Sequence, residues 1–598
     1  MAENNTTKNK PTFGKIMLAS AVGTLIVMVC IGIFKLLMFF GIVGSLSKDD
    51  VPVVAKGTFL KIDLTSALEE RSPSELNSWI NKSNSVGFND MLRSINAAAN
   101  DEKIDGIYLY MGSSYPHSWG RSEELRHTLE LFCESGKPVF AYADNYSQQS
   151  YFLASVADSI YMNPSGILFF QGIGAEGLFF KEMLNKLAVK MTLVRPKSNN
   201  FKSAGEMYTM NHMSDANRAQ IRQYINSIWQ YVIEQIAEAR DISTEELNQM
   251  ANELTACLPE DAIKRKLIDR LCFENDVVKT MEKDYGSKNT IELSDYCKTV
   301  KPTTTTKDKI AVIYAEGDVV EGDGINTAVY SDKITKALDN AAKDDNIKAI
   351  VLRVNSPGGQ VTASEIMTNA VIRAKTKKPV VVSMGDVAAS AGYEISCNAN
   401  YIVAQPTTIT GSIGVFASIP EVGGTLRRYL GITTDTVLTN TNAAGLSIMR
   451  PMSPKVLELM QRNVEEFYTV FVNRVAKGRG LKYDFVDSIA RGRVWTGRDA
   501  LKLGLVDALG GLDDAISIAA DSAGIKNYTV IDYPANESIM EELSKFKDQS
   551  SGTAKIKTLA PQAGDRVWIG GNAATEVLNR ILETRGLQAR VEFLLITE

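Results

Sequence analysis

The chain contains an internal duplication, and this feature constrains its fold more than any other. Aligning Tyr151 with Tyr393, 242 positions later, places Gln148 of the first copy opposite Ser390 of the second. A length of 598 residues alone would suggest about four domain-sized units. The duplication instead predicts two halves of one fold, and the two halves differ at a position where a reactive hydroxyl would lie.

The two copies also differ in a lysine. The first carries Lys202, whereas the matching stretch of the second, 439–446, contains no lysine. One copy therefore keeps a hydroxyl and the other an amine, and serine and lysine together can form a nucleophile and its general base. Asp144 and Asp386 occupy matching positions in both copies, so we expect them to have structural roles.

Histidine is scarce, which bears on the choice of a base. The chain has only His117, His127 and His212, all in the first half and none in a recognisable motif. This distribution counts against a Ser-His-Asp triad and favours a lysine base. An ordinary lysine has a pKa near 10.4, so Lys202 could accept a proton only if desolvation lowered its pKa by several units.

Apolar runs alternate with helical patterns along both halves, which predicts an α/β fold with buried parallel strands. The first half repeats the pattern of the second at 104–110 and 138–142. In the second half the predicted elements are a strand at 309–314, a helix at 334–342, a strand at 347–354, a helix at 363–375, a strand at 380–383 and a helix beginning near Ala389.

Changes in composition divide the chain into six segments. A Pro-Thr-rich stretch without apolar residues separates the halves, and the polar residues after 535 contain no motif. The predicted segments are a cytoplasmic N-terminus (1–15), a transmembrane signal anchor (16–46), a first repeat carrying the lysine (56–301), a linker (302–308), a second repeat carrying the serine (309–535) and a C-terminal extension (536–598).

The predicted anchor rests on a long apolar segment. Residues 16–34 are uncharged, Lys35 interrupts, and 36–46 continue without charge. Nineteen residues are about enough to cross a ~30 Å hydrocarbon core as a helix. Three lysines precede the run, so the positive-inside tendency places the N-terminus in the cytoplasm and the body outside it. A cleaved secretory signal is the alternative, but the run is long for one and no Ala-x-Ala site follows.

Charge and cysteine content exclude several other classes. The net charge is −5 and there is no basic stripe, so no nucleic-acid partner is predicted. The six cysteines form no Cys-x-x-Cys pair, which argues against a zinc cluster or a thioredoxin-type site. We expect buried free thiols, and no cofactor or metal.

Four motifs in a fixed order carry a family resemblance over nearly the whole chain. They are Arg353–Gly359, Ala388–Tyr393, Thr410–Gly414, and Arg493–Gly497 followed by Gly504–Asp507. With these motifs the chain resembles the signal peptide peptidase A family, also called protease IV, in its long double-domain bacterial form. One departure is Ala391, where the family usually has glycine; its methyl group could narrow the site. We expect the Arg493–Gly497 motif to serve packing and assembly.

The resemblance implies a fold and a set of site residues. The fold would be a tandem of crotonase-like (ClpP-like) domains. Ser390 would be the nucleophile, Lys202 the base, Gly358 and Gly359 the oxyanion hole, and Ser412 the residue that holds the lysine amine. Taken alone, Ser390 could be a helix N-cap and the two glycines an ordinary turn.

The resemblance also implies a function. The chain would be a membrane-anchored serine endopeptidase of the bacterial inner membrane, with its body on the periplasmic side. Its substrates would be remnant signal peptides, extended and apolar, and it would form a bowl-shaped homotetramer. An acyl-CoA hydratase or isomerase would share the fold and the Gly-Gly loop, but the Ser390–Tyr393 segment and the anchor argue against it. A non-catalytic membrane scaffold is a third possibility, against which the retention of both Ser390 and Lys202 speaks.

Overall fold

The computed structural model of the chain describes residues 51–73, 86–286, 289–300, 306–324, 328–535 and 587–590. The predicted anchor, most of the linker and most of the C-terminal extension lie outside these ranges. Among the described residues, no helix has both the length and the apolar character needed to cross a membrane.

The described elements of the first half alternate between strands and helices. In chain order they are β1 (Thr58–Asp63), α1 (Phe88–Ala99), β2 (Ile104–Gly112), α2 (Trp119–Cys133), β3 (Val139–Ala143), α3 (Gln148–Ala154), β4 (Ser159–Met162), α4 (Lys181–Lys186), β5 (Lys190–Val194), α5 (Glu206–Thr209), α6 (Asp215–Arg240), α7 (Thr244–Glu253), α8 (Pro259–Lys264), β6 (Arg270–Leu271), α9 (Glu274–Tyr285), β7 (Thr290–Glu292) and α10 (Leu293–Cys297).

The second half has a closely related series, followed by one strand from the C-terminal extension. The elements are β8 (Lys309–Glu316), β9 (Val319–Val320), β10 (Val329–Tyr330), α11 (Ser331–Lys343), β11 (Ile347–Ser356), β12 (Gly358–Gln360), α12 (Val361–Lys375), β13 (Val380–Ala389), α13 (Ala391–Ser396), β14 (Tyr401–Ala404), β15 (Ile409–Gly411), β16 (Phe416–Glu421), α14 (Gly423–Leu430), α15 (Pro454–Arg479), α16 (Tyr483–Ile489), β17 (Val494–Thr496), α17 (Gly497–Lys502), β18 (Ala508–Leu509), α18 (Leu512–Ala523), β19 (Thr529–Asp532) and β20 (Leu587–Arg590).

Each half is built on a parallel sheet, and the two sheets have the same strand order. The first runs β7-β1-β2-β3-β4-β6, and the matching strands of the second run β19-β8-β11-β13-β14-β18. Central strands such as β11 are almost entirely buried, as expected when both faces of a parallel sheet are covered. The long helices α6 and α15 also correspond: each has 26 residues and begins after a serine whose side chain accepts a main-chain N–H bond. The predicted tandem α/β architecture is thus present.

One predicted strand is longer than the sequence suggested. We expected β13 to end at Ser383, followed by a turn, but it continues to Ala389. The extension forms because residues 387–389 pair with β15 after the first part of the strand has paired with β14. This continuation carries the chain directly to Ser390.

A third sheet joins the two halves. Its order is β10-β9-β12-β20-β16-β5, and β5 of the first half pairs antiparallel with β16 of the second. Val194 lies opposite Ala417 in this pairing. Because β5 ends shortly before Lys202, the shared sheet carries the lysine of the first half toward the serine of the second.

Buried charges also connect the halves. Arg353 on β11 is 1% exposed; its Nε donates to Glu70 Oε2 at 2.9 Å and its Nη2 to Glu124 Oε2 at 2.6 Å. Burial alone would raise the pKa of Glu70, but the guanidinium groups of Arg353 and Arg121 outweigh it and hold the pKa below its usual value. Buried charges of this kind are tolerated only when paired.

The two matching aspartates make structural contacts, as expected. Asp386 accepts the Arg121 main-chain N–H at 2.8 Å and therefore contacts α2 of the first half. Asp144 accepts from the Tyr142 hydroxyl and from the side-chain amide of Asn163, both at 2.9 Å.

The expectation of buried free thiols is correct only in part. All five described cysteines are unpaired, but only Cys272 and Cys397 are buried. The other three, all in the first half, are half-buried: Cys133, Cys257 and Cys297.

Candidate active site

Ser390 lies at the junction between β13 and α13. Its φ of 58° and ψ of −117° are unusual for a residue with a side chain and cost about 1–3 kcal/mol, which the surrounding structure must offset. Its main-chain N–H donates to Gly411 O at 2.8 Å, which holds the turn. Ser390 occupies the N-cap position of α13, as the alternative interpretation expected, but its side chain makes no capping bond and is free for another contact.

The Ser390 hydroxyl instead contacts the amine of Lys202. The Lys202 Nζ lies 2.7 Å from Ser390 Oγ, 3.0 Å from Ser412 Oγ and 3.3 Å from Ser412 O. A neutral amine has two N–H groups and one lone pair. The two oxygens of Ser412 can accept the N–H groups, which leaves the lone pair to accept the proton of the Ser390 hydroxyl.

The environment of Lys202 favours this neutral form. The residue is 1% exposed, and burial lowers the pKa of its amine well below the usual value. Its recorded hydrogen-bond partners are hydroxyl and carbonyl oxygens rather than carboxylates. Neutral partners do little to stabilise an ammonium ion, so desolvation dominates.

The loop that carries Lys202 packs against the second half. Gly492 has a φ of +82°, and a Cβ atom there would lie 2.5 Å from Lys202 Cβ. The Phe201 N–H donates to Arg491 O at 3.1 Å, and the Arg493 guanidinium lies 4.8 Å from the centre of the Phe201 ring. Only glycine permits so close an approach at 492, a requirement that sequence reasoning missed.

The segment Arg493–Gly497 holds the other partner of the amine. Arg493 O accepts the Ser412 N–H at 2.7 Å, and β17 pairs antiparallel with β15 immediately before Ser412. The predicted packing contacts of this motif therefore lie within the chain, against the site. Its predicted part in assembly stays a prediction.

Gly358 and Gly359 form a short strand near the serine. Gly358 has a φ of +107° and donates its N–H to Ser356 Oγ at 3.2 Å. A Cβ at Gly359 would lie 2.1 Å from Val319 O, so both positions require glycine. A Cβ at Gly392 would lie 2.7 Å from Ser356 O, which shows how closely α13 approaches the end of β11, two residues before Gly358. Ala391 is fully buried with its methyl group in place, whereas a methyl group at Gly392 would clash with Ser356 O.

In the first copy, the position that corresponds to Ser390 is occupied by a glutamine whose side chain binds a neighbouring loop. Gln148 is buried, and its Oε1 accepts the N–H groups of Gln171 at 3.0 Å and Gly172 at 2.8 Å. These two residues align with Ile413 and Gly414 of the second copy. The 439–446 stretch, which aligns with the Lys202 loop, is largely exposed. The described residues therefore contain one Ser-Lys pair, assembled from both halves.

The histidines make other contacts. The His117 ring is buried within 3.0 Å of Leu64 O, and burial lowers its pKa to about 4. His127 and His212 are exposed and contact groups in their own neighbourhood. The recorded side-chain contacts of Ser390 are Lys202 Nζ and, at 3.5 Å, Gly414 O.

Ser412 offers a direct test of how the amine is held. Ser412→Ala removes the 3.0 Å acceptor, so the lone pair of Lys202 is no longer aimed at Ser390. We expect kcat to fall about 10- to 100-fold with KM little changed, as for other groups that assist a catalytic base. Ser418→Ala removes an equally buried serine from β16 and should leave kcat unchanged. Equal effects of the two substitutions would show that Ser412 has no special role.

A buried serine beside a buried lysine, on a strained strand–helix turn, defines a class: serine hydrolases with a lysine base. The comparisons with known proteins narrow this class. The sequence model of peptidase family S49 matches residues 132–288 and 372–526, one match in each half. The model of Clp protease matches residues 301–411. The chain belongs to peptidase family S49 and is a serine protease with a tandem ClpP-like, crotonase-like fold.

Individual relatives agree with this assignment. Protease 4 of Salmonella typhi is 36% identical over 79% of this chain and 77% of the relative. Protease 4 of Haemophilus influenzae is 34% identical over 74% of each chain. The chloroplastic serine protease SPPA of Arabidopsis thaliana is 26% identical over 90% of this chain and 78% of the relative. Membership of a peptidase family rejects the hydratase or isomerase and scaffold alternatives.

Proposed function

We propose that the protein is a membrane-anchored serine endopeptidase that uses a Ser390–Lys202 dyad to degrade remnant signal peptides. The observation that carries this proposal is the 2.7 Å distance between Ser390 Oγ and Lys202 Nζ, two side chains that are both buried. Nucleophile and base must lie within this range for proton transfer to accompany attack.

The mechanism follows from the contacts of the pair. Ser390 Oγ attacks the scissile carbonyl carbon while Lys202 Nζ takes the hydroxyl proton. The ammonium then gives this proton to the leaving amine, and an acyl-enzyme remains. Lys202, neutral again, activates the water that releases the acyl group. Ser412 holds the Lys202 amine in position during both acylation and deacylation.

The developing oxyanion is assigned to the main chain of the Gly358–Gly359 strand. The Gly358 N–H donates to Ser356 Oγ in this structure, so Gly359 is the preferred donor and Gly358 assists after its bond is exchanged. The approach of Gly392 to Ser356 supports this assignment, because it brings the serine's helix against the last residue of β11, two residues before Gly358.

The substrate class and location rest on the sequence. The apolar segment 16–46 supports an anchor in the bacterial inner membrane, with the protease body on the periplasmic side. Resemblance to the signal peptide peptidase A family supports extended, apolar peptide substrates and a homotetramer.

Chemical labelling tests the proposed function. A peptidyl phosphonate that reacts with activated serines should modify Ser390, as mapped by mass spectrometry, and should abolish cleavage of a fluorogenic signal-peptide substrate. Lys202→Met should prevent labelling because the hydroxyl is no longer activated. Labelling at another serine, or undiminished labelling of Lys202→Met, would contradict the dyad.

The pH profile tests the base. Only neutral Lys202 can accept the serine proton, so kcat/KM should rise with pH through the lowered pKa of Lys202. A protein with His117, His127 and His212 replaced by asparagine should keep this ascending limb. Loss of the limb in that variant would return a histidine to the mechanism.

A further inference from the structure

A buried carboxylate lies on the short helix that begins at the nucleophile, and the mechanism makes no use of it. Glu394 is four residues after Ser390 on α13, and its side chain is only 3% exposed. Its Oε2 accepts the Ser364 hydroxyl at 2.6 Å, and its Oε1 binds the Arg474 guanidinium. Arg474 on α15 also donates to Glu365 Oε2 at 2.6 Å. Burial of a charge is costly unless the charge is paired, so this cluster requires an explanation.

The contacts of Glu394 connect the elements that set the geometry of the site. α13 begins directly after Ser390, and α12, which carries Ser364, begins directly after β12, the strand that we assign to the oxyanion hole. The Glu394 main-chain N–H donates to Ser390 O at 2.9 Å, and its carbonyl oxygen accepts the Thr368 hydroxyl of α12 at 3.2 Å. Glu394 therefore joins the helix of the nucleophile to the helix that follows the oxyanion strand, and Arg474 joins both to α15.

The turn at Ser390 needs such an anchor. Its unusual φ and ψ persist only where the surrounding structure holds them. Before the serine, the pairing of β13 with β15 fixes the chain. After it, α13 has six residues, too few for a helix that is stable without tertiary contacts. The Tyr393 hydroxyl donates to Leu505 O at 2.8 Å, and Glu394 supplies the charged contacts of α13 with α12 and α15.

We propose that Glu394 is a positioning residue of the peptidase reaction. The ionised carboxylate, bound to Arg474, holds Ser390 in place relative to the oxyanion strand, and its protonation slows turnover. This inference rests on the proposed function, since it requires Ser390 to be the nucleophile and β12 to supply the oxyanion donors.

The surroundings of Glu394 make this carboxylate titratable. Burial raises the pKa of Glu394 above its ordinary value, and the Arg474 guanidinium offsets this only in part. The charge of Glu365 on α12 also opposes ionisation of Glu394, whereas the Cys397 thiol on α13 stays neutral because burial raises its pKa to about 12. The Glu365 side chain is 24% exposed, so Glu394 takes up a proton first as the pH falls. Protonation removes the negative charge that strengthens the hydrogen bond with Arg474.

A pH series with Glu394→Gln tests the proposal in the full-length protein. The substitution keeps the shape of the side chain and removes its charge. We expect kcat for a fluorogenic peptide to fall about tenfold at about pH 8.5 with KM little changed, because a displaced nucleophile slows the chemistry without weakening binding.

The decisive quantity is the ratio of kcat between the unmodified protein and Glu394→Gln. Burial alone lowers the pKa of Lys202, so protonation of Lys202 affects both proteins alike and cancels in the ratio. The ratio should shrink towards one at about pH 5, where the carboxyl group of the unmodified protein is protonated as well. A ratio near one at about pH 8.5, or a ratio that stays constant as the pH falls, would overturn the proposal.

Glu123→Gln is the matched control. Glu123 is also buried, and burial raises its pKa to about 7, but it lies on α2 of the first half and binds the Tyr231 hydroxyl. The ratio of kcat between the unmodified protein and this variant should stay near one at every pH. A tenfold ratio with the same pH dependence would show that neutralising any buried glutamate has this effect, and would also overturn the proposal.

A second measurement does not depend on activity. The main-chain amides of 394–397 should exchange with solvent faster in Glu394→Gln than in the unmodified protein at the same pH, and Glu123→Gln should leave their exchange unchanged. If the unmodified protein hydrolyses no peptide, the proposed function fails, while this exchange result still decides whether the Glu394 carboxylate holds α13. Unchanged exchange in Glu394→Gln would show that it does not.

Discussion

Ser390→Ala and Lys202→Met are each expected to lower kcat/KM by at least about 10³-fold, and the double variant should be no worse than either single variant. Groups that act as one unit are strongly non-additive, because removal of either leaves the other without a function. The measurement is hydrolysis of a fluorogenic peptide by purified full-length proteins. An additive double variant would mean that serine and lysine act separately.

Two controls sharpen this experiment. Gln148→Ala alters the aligned position of the first copy, where the amide holds only a loop, so it should retain most activity. Mixing Ser390→Ala with Lys202→Met proteins should restore no activity, because the 2.7 Å contact forms within one chain. Activity regained on mixing would place the site between subunits instead.

The effect of Lys202→Met on the stability of the protein also has an expected sign. Because burial lowers the pKa of Lys202, the unfolded chain binds more protons than the folded one at every pH between the lowered value and about 10.4. In that window the buried lysine lowers the free energy of unfolding, and this loss of stability becomes smaller as the pH rises. Lys202→Met should therefore not lower the thermal midpoint at neutral pH, and a clear drop would show that lost activity reflects unfolding.

The duplication made much of the architecture predictable. Each copy repeats the same apolar runs, and fully buried parallel strands have few alternatives to such runs. The complementary retention of Ser390 and Lys202 was visible for the same reason, since one copy serves as a reference for the other. The length of β13 was not predictable, because its last residues form a strand only through pairing with β15.

Other features depended on contacts between residues far apart in sequence. Gly492 lies in a turn and carries no chemistry of its own. Its importance comes from the 2.5 Å distance that a Cβ there would have to Lys202 Cβ. β20 lies in the C-terminal extension, where the sequence showed no motif, and nothing there indicated a strand that would pair with β12 and β16. Arg353 was read as part of a motif, whereas its carboxylate partners lie on the other half.

Arg353→Met is expected to destabilise the protein by about 3–5 kcal/mol, because Glu70 and Glu124 would be left as buried carboxylates without their partner. The shift of the denaturation midpoint in urea measures this loss. Arg373→Met is the matched control: Arg373 pairs with Asp339 but is 52% exposed, and such surface pairs contribute about 0–1 kcal/mol.

Two further comparisons separate lost pairing from lost packing. Adding Glu70→Gln and Glu124→Gln to Arg353→Met should recover much of the stability, since the uncompensated charges disappear with the guanidinium. The penalty of Arg353→Met alone should also shrink as pH falls, because protonation of the two carboxyl groups removes the charges that Arg353 neutralises. A loss no larger than that of Arg373→Met would mean that the buried cluster does not hold the halves together. In that case the β5–β16 pairing and the contacts of the Lys202 loop with Arg491 and Gly492 would have to keep Lys202 beside Ser390.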